Sequence, residues 1–100
     1  MSFLGGASWR KYKGSLVGRA SWPLARLTIH PEGITFSASS RWVSLGIPTM
    51  DLRWQDIESI ARRHTGVLIK RSDEPGSTIL FQLNKDAILN ALARYPVRIL

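Results

Sequence analysis

The stretch "LRWQDIESIARRHTGVLIKR", residues 52–71, most constrains what this chain can fold into. Read as a helix, its first half puts Trp54, Ile57, Ile60 and Ala61 on one face. Such a helix runs only from Trp54 to about Arg63 before "HTG" ends it, and helices that short need tertiary support. It also leaves "VLIKR", β-branched and strand-like, without a local partner. A hairpin explains both halves with one turn at His64–Gly66. The expectation is a tight turn at "QDI", a strand from Ile57 to Arg63 and a return strand from Val67 to Arg71. A three-residue turn sets Arg63 opposite Val67, Arg62 opposite Leu68 and Ile60 opposite Lys70, with Gly66 supplying positive φ.

The flanking sequence has the same character. In "ARLTIHPEGITFSAS", Leu27 and Ile29 alternate with polar residues, "HPEG" supplies turn chemistry, and Ile34, Phe36 and Ala38 alternate again. "RWVSL" is a further strand candidate, interrupted by "GIP". Met50, Leu52 and Trp54 alternate in "TMDLRW". "EPGS" is a turn, and in "TILFQL" Ile79, Phe81 and Leu83 share one face. Then the period changes: Ile88, Ala91, Leu92 and Tyr95 fall at helical spacing in "NKDAILNALARYP". Asn84 is the expected N-cap, Asp86 and Arg94 suit the helix dipole, and Pro96 ends the helix near Tyr95. Leu89, about a hundred degrees from Ile88, is expected to be only partly covered. Residues 1–8, small and glycine-bearing, are expected to be loose.

One hundred residues is one domain, large enough for a core without staples. There is no cysteine, which removes disulfides, thiolate chemistry and Cys-type zinc sites. No apolar run approaches a membrane span or a secretory signal, so the expectation is a soluble, cytoplasmic chain, with the periphery of a membrane as the alternative location. The net charge is +7, and no acid precedes Glu32, whereas Arg10, Lys11, Lys13, Arg19 and Arg26 all do. Such asymmetry suits anionic partners, although a basic, solvated surface is the plain reading.

"WPLARLTIHPEGITFSAS", then "LRWQDIESI" with a hairpin after it, then "TILFQL" and a closing helix, resembles bacterial PH-like domains of the GRAM-related kind. In those domains a tryptophan followed by x-Asp-Ile leads into the central hairpin; here these are Trp54, Asp56 and Ile57. The resemblance covers residues 14–95. It leaves 1–13 as a basic and aromatic arm and 96–100 as a tail. It implies a mainly β fold: a PH-like barrel of two packed, nearly orthogonal antiparallel sheets, about seven strands, capped by one C-terminal α-helix. The expected core includes Leu27, Ile29, Phe36, Trp54, Ile57, Phe81 and Leu92. The inositol-phosphate binding of pleckstrin-type domains does not carry over, because the first hairpin loop, "HPEG", is short and contains Glu32, with only Arg26 and His30 as basic neighbours.

No motif names a reaction. His30 and His64, the only imidazoles, sit in expected turns, and neither is joined to a serine and a carboxylate in a recognisable motif. Asp56 and Glu58, placed on a strand, share a face beside Arg62 and read as a surface pair. The spacing for a metal site or a phosphate-cradling loop is absent. The chain is therefore expected to be neither an enzyme nor a cofactor carrier. Of the four tryptophans, Trp54 and Trp22 read as packed and Trp42 as able to face either way. Trp9 lies in "WRKYK", where aromatics alternate with cations, as suits stacking on bases or seating at a headgroup layer; its plainer reading is an arm folded against the barrel.

The expectation is a non-catalytic PH-like binding module for a protein or peptide partner. The alternative is electrostatic binding of a polyanion, either nucleic acid or an acidic membrane. It would use Trp9, Arg10, Lys11 and Lys13 of the arm together with Arg62, Arg63, Lys70 and Arg71 around the hairpin tip.

Overall fold

The computed structural model describes residues 1–10, 16–39, 47, 49–74, 76–82 and 84–100. Among these lie seven strands: β1 (Ser2–Arg10), β2 (Leu16–His30), β3 (Gly33–Ala38), β4 (Met50–Arg53), β5 (Ile57–Arg62), β6 (Gly66–Arg71) and β7 (Thr78–Gln82). A 3-10 turn, Trp54–Asp56, joins β4 to β5, and one helix, α1 (Lys85–Leu92), follows β7. The strands form one antiparallel sheet in the order β4-β3-β2-β1-β7-β6-β5, which curls into a nearly closed barrel. Two meanders, β1–β4 and β5–β7, are thus joined through β1, which pairs with both β2 and β7.

That pairing corrects the expectation of a loose start. Ser2–Arg10 is an interior strand, with Ala7 and Trp9 buried and Ser8 and Arg10 turned outward. Its small residues, Gly5 to Ser8, let neighbouring strands approach closely rather than leaving it disordered. Trp9 is 6 % exposed and meets the Phe36 ring edge-on at 5.5 Å, so its indole belongs to the core. The expected strand at 41–45, with Trp42, lies outside the described residues, as do Leu83, Lys11 and Lys13.

The first hairpin forms as its alternation implies: Leu27 pairs with Phe36 and Ile29 with Ile34 across the Pro31–Glu32 turn. The central hairpin also forms, but shifted by one residue. Arg62 pairs with Val67, Ala61 with Leu68 and Ile60 with Ile69, and Arg63 N–H donates to Gly66 O at 2.9 Å. The turn is therefore His64–Thr65. The shift puts Ile60 beside Ile69 inside the barrel, which a pairing of Ile60 with Lys70 would forbid. Gly66 does not carry positive φ. It is needed for closeness instead, because a Cβ there would collide with the Phe81 carbonyl of β7.

The core is a single cluster in which Phe36, Phe81, Leu27, Ile34, Ile60, Ile69, Ile79 and Val67 come from the strands and Ile88 and Leu92 from α1. Each such side chain contributes about 1.5–3 kcal/mol relative to remaining in water. Ile57 and Ile29 are buried as well. Leu89 is 6 % exposed, so α1 buries a wider face than its spacing implied. The helix stops at Leu92, short of Tyr95. Asn84 stands at the N-cap position, but its side chain caps nothing: its Nδ2 donates to Leu4 O at 3.1 Å, tying the helix start to β1. Trp22, expected to be packed, is 60 % exposed, because residues 21–24 bulge out of β2 between the pairs Ala20–Ala7 and Ala25–Gly5.

Candidate binding surfaces

Three of the residues expected at an anion surface divide between two places. At the hairpin tip, Arg62 pairs with Asp86 of α1 at 3.6 Å, Arg63 is exposed, and Lys85 donates to His64 O at 3.3 Å. The start of α1 thus engages the tip. At the far end of β6, Arg71 is enclosed. Its Nε and one terminal nitrogen reach both oxygens of Asp73 at 3.0 and 2.8 Å, and that same nitrogen lies 2.9 Å from Glu74. The other terminal nitrogen donates to Met50 Sδ of β4 at 3.6 Å. The hydrogen bond to Asp73 raises the Arg71 pKa, and the same contact lowers that of Asp73. Arg71 therefore locks the β6–β7 turn, with its charge already met by two acids.

Arg10 and Lys70 come together elsewhere. Both pair with Thr78, so they flank it in one row across β1, β7 and β6 on the outward face. Arg19, which the sequence reading left out of its candidates, pairs with Ser8 one row along. Arg10 and Arg19 line an open cleft of about 350 Å³ with Ser8, Ser21, Leu80 and Gln82.

A third feature is the edge of β5. Ile60 N–H donates to Arg98 O and Ile60 O accepts from Leu100 N–H, each at 2.8 Å, making a parallel bridge between Ile60 and Ile99. The segment leading there is anchored by Tyr95, stacked on Trp54 at 4.9 Å with the rings 20° from parallel. Trp54 itself is half-buried at the rim of the core rather than within it; its Nε1 donates to Pro31 O at 2.8 Å. The x-Asp-Ile sequence after it has a physical role. Asp56 accepts Arg53 N–H at 3.2 Å, closing the 3-10 turn that releases Ile57 into β5. Asp56 thus lies in that turn and not on a strand face with Glu58.

His64 is a turn residue as expected, but His30 is the last residue of β2, paired with Gly33 beside the turn. Thr35 gives its hydroxyl proton to Asp51 at 2.6 Å, so His30 Nε2 donates to Thr35 at 3.0 Å. His30 Nδ1 lies 3.2 Å from Glu32, whose carboxyl is held below its usual range chiefly by that hydrogen bond. This chain of contacts ties β2, β3 and β4 together. Among the described residues no group of three or more His, Asp or Glu is placed to hold a metal ion. A cavity under α1, lined by Met1, Ile29, Ala91, Arg94 and Tyr95, measures about 30 Å³, room for about one water.

Neither the protein-family models nor the curated proteins compared with the chain match it. The class defined here is therefore one of architecture: a seven-stranded, nearly closed antiparallel barrel followed by one helix, compatible with a PH-like barrel.

Proposed function

We propose that this chain is a non-catalytic PH-like module of the bacterial GRAM-related kind, working in the cytoplasm, that binds a protein or peptide partner as an extended strand on the β5 edge. The observation that carries the reading is the bridge at Ile60. Both backbone groups of Ile60 are already bonded to an extended segment, Arg98–Leu100, whose own side chains stay partly in solvent, with Ile99 38 % and Leu100 60 % exposed. An edge that accepts one extended segment through main-chain bonds can accept another, with side-chain pockets setting the preference. Arg62, two residues beyond Ile60, turns its backbone to the same side and extends the ladder. Polyanion binding at the hairpin tip is less well supported, because Arg62 is engaged by Asp86 there and Arg71 lies at the far end of β6, engaged by Asp73 and Glu74.

The test uses the chain's own segment as ligand. Leu100→Pro removes the donor to Ile60 O and loosens the internal strand. A labelled peptide of residues 95–100 is then titrated into this variant and into the unaltered chain, followed by fluorescence anisotropy. Saturable binding is expected with the variant and weaker binding with the unaltered chain, where the internal segment competes. No saturable binding to the variant up to about 1 mM, an affinity of about 4 kcal/mol, overturns the reading.

A further inference from the structure

None of β1, β2, β6 and β7 contains an acidic residue. On their outward face Arg19, Arg10 and Lys70 follow one another across the sheet. Arg19 and Arg10 lie on neighbouring strands, and Lys70 lies two strand spacings from Arg10, about 9.5 Å at the backbone. Among the described residues Arg19 and Lys70 enter no ion pair. The opposite face of the same strands holds the core, so these cations have no part in it.

The wall of the cleft is the bulge at 21–24. A Cβ added to Gly6 would lie 3.0 Å from Ala20 O, 3.2 Å from Trp22 N and 3.2 Å from Gln82 Oε1. The bulge backbone therefore folds over Gly6, beside Gln82, on the face that carries the cations. It brings Ser21 into the cleft, and the next residue, Trp22, is 60 % exposed. Guanidinium groups, hydroxyls and an amide line a concave track, and the residue after Ser21 in its wall carries an exposed indole. That is the equipment for a phosphate backbone with a base stacked at one side. A planar headgroup layer fits less well, since surface binding to a bilayer rests on a broad apolar face. Here, beyond the buried Ala7 and Ala20, the apolar side chains at the cleft are Leu80 in its lining and the exposed Trp22, too few for such a face.

We propose that this outward face binds single-stranded nucleic acid, with phosphates on Arg19, Arg10 and Lys70 and a base on Trp22. The surface is separate from the β5 edge, and its test is independent of peptide binding. The probe is a 5′-labelled oligothymidylate of about 16 nucleotides, a length within the range that single-strand-binding domains occupy. Anisotropy is read over a series of salt concentrations with the full chain, and circular dichroism checks that each variant folds. Binding that weakens with salt is expected. Arg19→Ala and Lys70→Ala will each lower the magnitude of the log–log salt slope by about 0.7. Trp22→Ala will weaken binding by roughly 5- to 100-fold with the slope unchanged. Arg62→Ala, at the hairpin tip, will bind as the unaltered chain does. The proposal is overturned by no binding at low salt, by Arg62→Ala losing as much as Arg19→Ala, or by a folded Trp22→Ala that binds normally. It is equally overturned if acidic vesicles bind by flotation while the oligonucleotide does not.

Discussion

The β4 edge is four residues long and its exposed side chains, Asp51 and Arg53, are charged, whereas the β5 edge is six residues long, with Ile57, Ile60 and Ala61 buried and an extended segment already bonded to it. Short, charged edges resist strand addition, and longer ones with apolar residues invite it. Asp51 is further occupied by Thr35, within the contacts that run to His30 and Glu32. One edge is thus closed by side chains and the other by backbone. Side-chain closure repels a partner strand, while backbone closure can be exchanged for one. That difference is the reason the proposed partner strand is placed on β5.

The comparison can be broken most forcefully through α1. Leu92 is fully buried, and Leu92→Ala is expected to cost about 2–5 kcal/mol. Leu89→Ala is expected to cost nearly as much, because Leu89 is also buried. In both variants amide exchange at Ile60 is expected to quicken more than in β4, since α1 and the segment after it serve the β5 side. Equal quickening at both edges would remove the distinction. Gly66→Val comes next, at about 1–3 kcal/mol by thermal melting, from backbone collision with Phe81 rather than from an unfavourable φ. A neutral result would mean that β6 and β7 are not so closely apposed.

Leu100→Pro removes one hydrogen bond and is expected to cost about 0.5–1.5 kcal/mol, lowering Tm by several degrees for a chain of this size. The smallest effect sharpens the other edge. Glu32 has a folded pKa below its usual value, so its contribution is present above the unfolded pKa and fades as pH falls through that value towards the folded one. Mild acid is therefore expected to lower amide protection factors, the exchange rates taken relative to the unstructured chain at the same pH, near the β2–β3 turn and β4 before β5. Glu32→Gln is expected to abolish that difference between edges.

Much of the fold was legible in the sequence because period reports burial. The alternations at Leu27–Ile29 and Ile34–Phe36, and the helical spacing from Ile88 to Leu92, survive unchanged. The hairpin at 57–71 was legible in kind but not in register. Turn length is set by close backbone packing at Gly66, which a local reading mistakes for a demand on φ. The start of the chain was misread for a similar reason: glycine and alanine signal looseness locally, yet here they let β1 sit between β2 and β7. Once β1 is a strand, Trp9 turns inward and Arg10 outward, and Arg10 meets Arg19 and Lys70 only through pairings with residues far away in sequence. The bonds of Ile60 to residues 98–100 leave no periodic trace, because main-chain pairing at an edge requires no particular side chain.

The most direct test of which edge takes a partner is an amide chemical-shift map of isotopically labelled Leu100→Pro chain during titration with the 95–100 peptide. Docking on β5 predicts shifts centred on Ile60 and Arg62 and extending to Trp54, where Tyr95 stacks, with β4 and the outward face of β1 unmoved. Shifts centred on β4, or scattered over the barrel with none at Ile60, would contradict it.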